Sequence, residues 1–243
     1  MYSFIGILQF LTRISVVKAL PFNEEFEKGV VYFPLVGLVL GILLVAFNYI
    51  LSFLLPPSIG VILTVTLYIF LTGGLHLDGL GDSFDGLYSN RPRERVLEIM
   101  KDSRLGTNAL LAILMILLIK IVGLQSLGEH QLNIALILMP VMGRQALVLG
   151  SYHAVYARKE GMGNIFIGKV TTEQLMITLL ITILISMISI KSLLFLTLLL
   201  GFAHWYKKHT TRIIGGMTGD TLGALCELTE AIYLLFLIIQ IRI

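Results

Sequence analysis

Long apolar runs that carry almost no charge constrain this chain more than any other feature. About 17 to 25 such residues let an α-helix cross a bilayer, and runs of this kind stand at 33–55, 59–75, 108–124, 132–150, 174–190, 192–206 and 222–241. The expected fold is therefore all-α, a polytopic membrane helix bundle of about seven transmembrane helices, with residues 1–243 as one domain. Composition agrees: 56% of the residues are hydrophobic and 14% charged, with mean hydropathy +0.90, whereas about a quarter of a soluble domain is charged. The fifth and sixth runs are the shortest, divided only near Lys191, and a bent pair that does not fully cross also fits them.

Arg13 follows the opening run MYSFIGILQFLT instead of preceding it, so that run is expected to be a membrane-surface helix and not a secretory signal. With the N-terminus inside, fourteen Lys and Arg residues fall on cytoplasmic segments: Arg13, Lys18, Lys28, Arg91, Arg93, Arg95, Lys101, Arg104, Arg158, Lys159, Lys169, Lys207, Lys208 and Arg212. Only Lys191 and Arg242 lie outside, with Lys120 and Arg144 within runs. Positive loops stay on the cytoplasmic side. Fourteen of the fifteen acids share that face, Glu129 excepted, so polar chemistry is expected there, in a multi-pass protein of the cell (inner) membrane. The bases are spread over short loops without a basic aromatic face, which argues against nucleic acid. The lone Cys226 excludes an intrachain disulfide and reads as a small buried hydrophobe.

The segment GGLHLDGLGDSFDGLYSNRPRERVLEIMKDSRLG concentrates the charge. Asp78, Asp82 and Asp85 recur at steps of four and three, which on a helix places them within roughly 60° of arc. Like charges held so close call for a cation between them, the alternative being incidental acids of a solvated loop or carboxylates that cap helix ends. The candidate ligands are oxygens, which favours Mg2+ over zinc; His76 reads either as a ligand-site residue or as a satisfied hydrogen-bonding side chain. A short helix is expected after Ser89 or Asn90, with Pro92 in its first turn and its end near Lys101. Lys101 and Arg104, flanking Asp102, suit a phosphate and equally suit positive-inside anchoring. Arg91, Arg93 and Arg95 read as a solvated helix face.

Near the C-terminus, GGMTGDTLGALCELTEA supplies Asp220, Glu227 and Glu230. Carboxylates inside an apolar run are costly and so are functional candidates. Arg144 can serve them as counter-ion or act as a phosphate clamp, while Lys120 is expected to snorkel from the outer end of its span. Tyr152, His153, Tyr156, His204, Trp205 and Tyr206 read as interfacial aromatics. No P-loop, GxSxG, HExxH or dinucleotide fingerprint is present.

FLTRISV, YFPLVGLVLG, GGLHLDGLGDSFDGL, RPRERVLEIMKDSRLGT and GGMTGDTLGALCE together resemble the cobalamin synthase family of adenosylcobinamide-GDP ribazoletransferases over nearly the whole chain. Ser15 stands where proline is commoner in that family, and Gly81 where alanine is common. The resemblance implies a membrane-bound, magnesium-dependent transferase whose substrates are a corrinoid-GDP and ribazole (or its 5'-phosphate), with GMP released. A homo-oligomer is compatible with it. Asp78, Asp82 and Asp85 match the family's acidic motif, with Lys101, Asp102, Arg104 and Thr218 to Asp220 in the companion motifs.

On that footing Asp78 and Asp82 are expected to hold Mg2+, Asp85 to accept a ribose hydroxyl proton, and Lys101, Arg104 or Arg144 to neutralise phosphate. Two other readings fit the residues. Clustered aspartates also serve the CDP-alcohol phosphotransferases, although the arginine and distal aspartate pair of that signature are not reproduced here. Intramembrane Glu227, Glu230 and Arg144 could instead line the ion path of a secondary transporter.

Overall fold

A computed structural model describes residues 2–18 and 26–242. Glu24 and Glu25, two of the acids assigned to the cytoplasmic face, lie outside the described residues. Among those residues there are ten α-helices and no named strand. They are α1 Tyr2–Leu11, α2 Phe33–Ser52, α3 Pro57–Thr72, α4 Leu75–Leu87, α5 Arg93–Ile99, α6 Thr107–Gln125, α7 Glu129–Ser151, α8 Thr172–Ser186, α9 Ile190–Ile214 and α10 Gly219–Arg242. A 3-10 segment, Phe26–Tyr32, leads into α2.

Each expected run is a helix, but the count of seven spans is not reproduced. Four helices or continuous helical stretches are long and apolar enough to cross a membrane: Phe26–Ser52, Thr107–Gln125, Glu129–Ser151 and Gly219–Gln240. A fifth exists only if α3 and α4 are taken as one broken span, bent by 86°. Gly73 and Gly74 make that break, with φ +64° and +70°, a left-handed backbone that residues with a Cβ avoid. The run at 174–190 folds as α8, whose 15 residues are too few for a full crossing. α9 is long enough but carries Lys207, Lys208 and Arg212 in its second half.

α7 is the central helix, buried almost continuously from Ile134 to Ser151, with α2 and α10 against it. The main core draws Ile7, Leu40, Leu138, Phe195, Leu225 and Tyr233 from α1, α2, α7, α9 and α10. Apolar burial of this kind separates core from lipid only by packing, since the tails are as apolar as leucine. Ile42, Phe70, Leu111 and Leu180 accordingly stay exposed, as lipid-facing positions do.

α4 differs from its neighbours in composition, bearing three aspartates in 13 residues. It runs from the first turns of α10 to the start of α6, across the end of the bundle. α5 then docks through a second, small cluster in which Leu87, Val96, Met100, Ala157 and Ile214 meet. The short helix expected from Ser89 or Asn90 to near Lys101 thus exists, with Pro92 in the cap position and no side-chain cap bond.

Candidate active site at the polar end of the bundle

α4 and α10 cross at backbone contact. A Cβ on Gly79 would lie 2.8 Å from the Asp220 carbonyl oxygen, so only glycine permits the approach that brings Asp78 and Asp82 beside Asp220. Asp220 stands in the first turn of α10, which Thr218 and Thr221 organise reciprocally: Thr218 N–H donates to Thr221 Oγ1 (2.8 Å) and Thr221 N–H to Thr218 Oγ1 (3.2 Å). The strand-like pairing of Val155–Ala157 with Met217 (Met217 N to Val155 O, 2.8 Å; Ala157 N to Met217 O, 2.9 Å) carries Arg158 to the same place. Its Nη2 is 2.6 Å from Asp220 Oδ2.

Asp82 is half-buried here and its carboxyl is pushed up to about 7. Desolvation is the largest cause, followed by the charges of Asp220 and Asp78, with Arg158 opposing and Asp85 adding a little. Carboxylates from two helices therefore share one field with one guanidinium against them. The sequence placed Asp78 and Asp82 together; the partnership with Asp220, 138 residues from Asp82, and with Arg158, read only as a loop charge, needed the fold.

Asp85 points elsewhere. Its oxygens accept the Gly106 N–H (2.7 Å) and the Ala109 N–H (2.9 Å), so it caps the start of α6. These are two of the four donors a helix N-terminus leaves unpaired, and an anion there also meets the positive end of the helix dipole. Lys101 is exposed. Arg104 is 87% exposed and forks onto Asp102, with Nε 3.0 Å from both oxygens, and that donor holds the Asp102 carboxyl down to about 2. The Arg91–Arg95 face is solvated except at Arg93, whose Nη2 donates to the Ala157 carbonyl at 3.4 Å.

The intramembrane charges form a separate, closed group. Lys120 Nζ on α6 lies 2.6 Å from Glu227 Oε2 and 2.5 Å from Glu230 Oε2, both on α10. Arg144 Nη1 on α7 lies 2.9 Å from Glu230 Oε1. Tyr68 on α3 accepts from Arg144 and donates to Glu230 Oε1 at 2.5 Å. Lys120 does not snorkel: it is 2% exposed, because two carboxylates compensate it in place and reaching an interface would strand them. Arg144 acts as the counter-ion. Two cations and two anions cancel, so the group ties four helices together at roughly 12 to 17 Å along α10 from Gly219, judged by helical rise at Glu227 and Glu230. A transporter reading needs one of these charges facing a path, and all four are buried.

His76 lies between the two groups. It is 5% exposed, and its Nδ1 is 3.6 Å from Cys226 Sγ, which in turn lies 3.7 Å from Glu230 Oε1. Its other side faces a cavity of about 180 Å³ that also meets Asp78 and Asp220. Phe10, Phe33, Phe166 and Ser151, which line this cavity, escaped the sequence reading; an apolar residue in an apolar chain gives no signal of what it surrounds.

Asp78, Asp82 and Asp220 fit a hard cation in donor type, being all oxygen, and in the negative field they create. Among the described residues, however, no three His, Cys, Asp or Glu side chains are placed to hold one ion together as they stand. Asp85, committed to α6, is the member furthest from such a role.

A family model described as cobalamin-5-phosphate synthase matches residues 3–238. An adenosylcobinamide-GDP ribazoletransferase of Alkaliphilus metalliredigens is 54% identical over 239 residues, covering 98% of this chain and 96% of the relative. Proteins of the same name from Clostridioides difficile and Klebsiella pneumoniae are 43% and 40% identical, covering 99% and 97% of this chain and 98% and 99% of theirs. No solved structure matches. With a family match from residue 3 to residue 238 and such identity over nearly full length, the chain belongs to the cobalamin-5-phosphate synthase family.

Proposed function

We propose that this membrane enzyme joins adenosylcobinamide-GDP to ribazole or its 5'-phosphate and releases GMP, in the final steps of cobalamin synthesis. The names of its relatives support the substrates. The observation that carries the chemistry is the meeting of Asp78, Asp82 and Asp220 with Arg158 at the polar end of an apolar bundle. The excess of Lys and Arg on the loops at this end supports a cytoplasmic site in the inner membrane.

In the reaction a ribose hydroxyl attacks the corrinoid-side phosphorus of the diphosphate. A new P–O bond forms, the bridging P–O bond to GMP breaks, and the hydroxyl proton is lost. The difficulty is concentrated negative charge and a weak nucleophile. Asp78, Asp82 and Asp220 are the residues that would hold Mg2+, once their side chains turn toward one point. A bound Mg2+ supplies charge neutralisation to the phosphate oxygens. Arg158 presents a guanidinium at the same place, and Lys101 and Arg104 are exposed nearby in sequence, Lys101 able to approach an incoming phosphate directly and Arg104 on leaving Asp102. Asp85 keeps a lone pair on each oxygen after its two backbone bonds at the start of α6 and would take the proton once its side chain turns toward the site. Family membership favours this acceptor over a lipid alcohol.

The test is purified protein with corrinoid-GDP and ribazole, with and without Mg2+, following GMP. Turnover requiring both substrates and the ion is expected. Asp82→Asn should lower the rate about 10²-fold or more, as loss of a main electrostatic contact does, while the protein still inserts in the membrane. Near-normal turnover of that variant refutes the assignment.

A further inference from the structure

The cavity beside Asp78 and Asp220 is built unlike the rest of the polar end. Three rings wall it, and they support one another: the Phe33 and Phe166 centroids are 5.1 Å apart and those of Phe10 and Phe166 5.6 Å. Within it stands Ser151, at the last turn of α7, 1% exposed and with no hydrogen-bond partner for its Oγ among the described residues. A buried hydroxyl left unpaired is costly, and a ligand atom that pairs it recovers that cost. The volume of about 180 Å³ is below the roughly 300–1,000 Å³ of pockets for drug-sized ligands, and slightly above an engineered cavity of about 150 Å³ that takes benzene. It admits one flat ring system. A corrin macrocycle does not fit.

We propose that this cavity seats the heteroaromatic base of the nucleoside acceptor, stacked among Phe10, Phe33 and Phe166 with a polar ring atom paired to Ser151 Oγ. This rests on the reaction proposed above and assigns its acceptor half. An aromatic ring prefers offset or edge-on neighbours, the arrangement these phenylalanines already adopt. The base would enter with its ribose toward Asp78 and Asp220, the two carboxylates on the cavity wall, so the attacking hydroxyl would emerge at the acidic site. The corrinoid-GDP would then approach from outside the cavity, at the exposed basic residues.

Two variants and two readouts test this. Ser151→Ala removes the hydroxyl, and Ser151→Leu fills the space. KM for ribazole should rise about fivefold in the first and at least thirtyfold in the second, while KM for corrinoid-GDP stays within twofold. Equilibrium dialysis of labelled ribazole against reconstituted protein, without corrinoid-GDP, should show the same loss. Benzimidazole should compete for the wild-type site and ribose 5-phosphate should not. Unchanged ribazole binding in Ser151→Leu, or a rise in KM for corrinoid-GDP instead, overturns the proposal. If the wild type binds ribazole through Ser151 yet releases no GMP, the base site stands and the reaction reading fails.

Discussion

Replacing Lys120 with methionine isolates the energetic role of the buried charge group. Methionine keeps the length of the side chain but removes the charge that bridges Glu227 at 2.6 Å and Glu230 at 2.5 Å, and leaves Arg144 alone against two buried carboxylates. Breaking a buried pair by deleting one partner costs about 3–5 kcal/mol, because the remaining charge stays desolvated. At about 2–4 °C per kcal/mol for a chain of this size, the melting temperature in detergent should fall by roughly 6–20 °C. The informative comparison is Lys120→Met with Glu227→Gln, in which one cation and one anion remain. If charge balance governs stability, the double variant is less unstable than the two losses summed, by a coupling of about 1–3 kcal/mol in a double-mutant cycle. Turnover at a temperature where it is folded should be near that of the wild type. A single variant that melts within 2 °C of the wild type (about 1 kcal/mol or less), or a double variant as unstable as the two losses summed, refutes the reasoning. A stable double variant that no longer transfers would instead return Glu227 to the substrate site.

Asp85→Asn should weaken the cap, because asparagine offers one acceptor oxygen where the carboxylate serves two N–H groups, so the melting temperature should fall modestly, and turnover of the folded protein should drop as well if Asp85 takes the proton. Full activity in that variant confines Asp85 to holding the start of α6. Gly79→Leu should push α4 from α10, given the 2.8 Å approach to the Asp220 carbonyl, and lower turnover more than tenfold; an active Gly79→Leu protein argues against that crossing as the source of the site geometry. At the α3–α4 break, Gly74→Ala adds only the cost of a left-handed alanine, about 1–2 kcal/mol, since its Cβ meets nothing within 4 Å. Gly73→Ala should lose a similar amount, because its Cβ would meet only the flexible, exposed Arg13 side chain, and a loss far larger than that of Gly74→Ala contradicts the structure there.

The sequence was readable where periodicity and composition coincide. The apolar runs mark α2, α6, α7 and α10 because each is long and uncharged, whereas the spacing of Asp78, Asp82 and Asp85 puts them on one face only once the segment is helical, as α4 is. The count of spans was not readable, since hydropathy does not see the Gly73–Gly74 break, and a run such as 174–190 can be interrupted by helix ends that carry no charge. Lys120 misled for a related reason: an isolated lysine in an apolar run snorkels, and only the fold reveals that Glu227 and Glu230 come from another helix to meet it. Arg158 and Ser151 were invisible as site residues because their meaning comes from Asp220 and from three distant phenylalanines.

The two charged groups solve opposite problems with the same residue types, and their difference explains why the chemistry sits where it does. In the bundle, Lys120, Arg144, Glu227 and Glu230 balance and are buried, so that with Tyr68 their pairing ties four helices together without leaving net charge for a ligand. At the bundle end, Asp78, Asp82 and Asp220 outnumber Arg158, and half-buried Asp82 stays charged at neutral pH only with difficulty. An imbalance of that kind is unfavourable for a scaffold and useful for a site, because a cation or a substrate completes it. The 86° bend makes the imbalance tolerable: it turns α4 across the end of α10, where water can reach its acidic face, while Gly79 keeps that face against the helix that supplies Asp220. A straight continuation of α3 would have carried the same three aspartates past the end of the bundle, away from Asp220, Arg158 and the cavity.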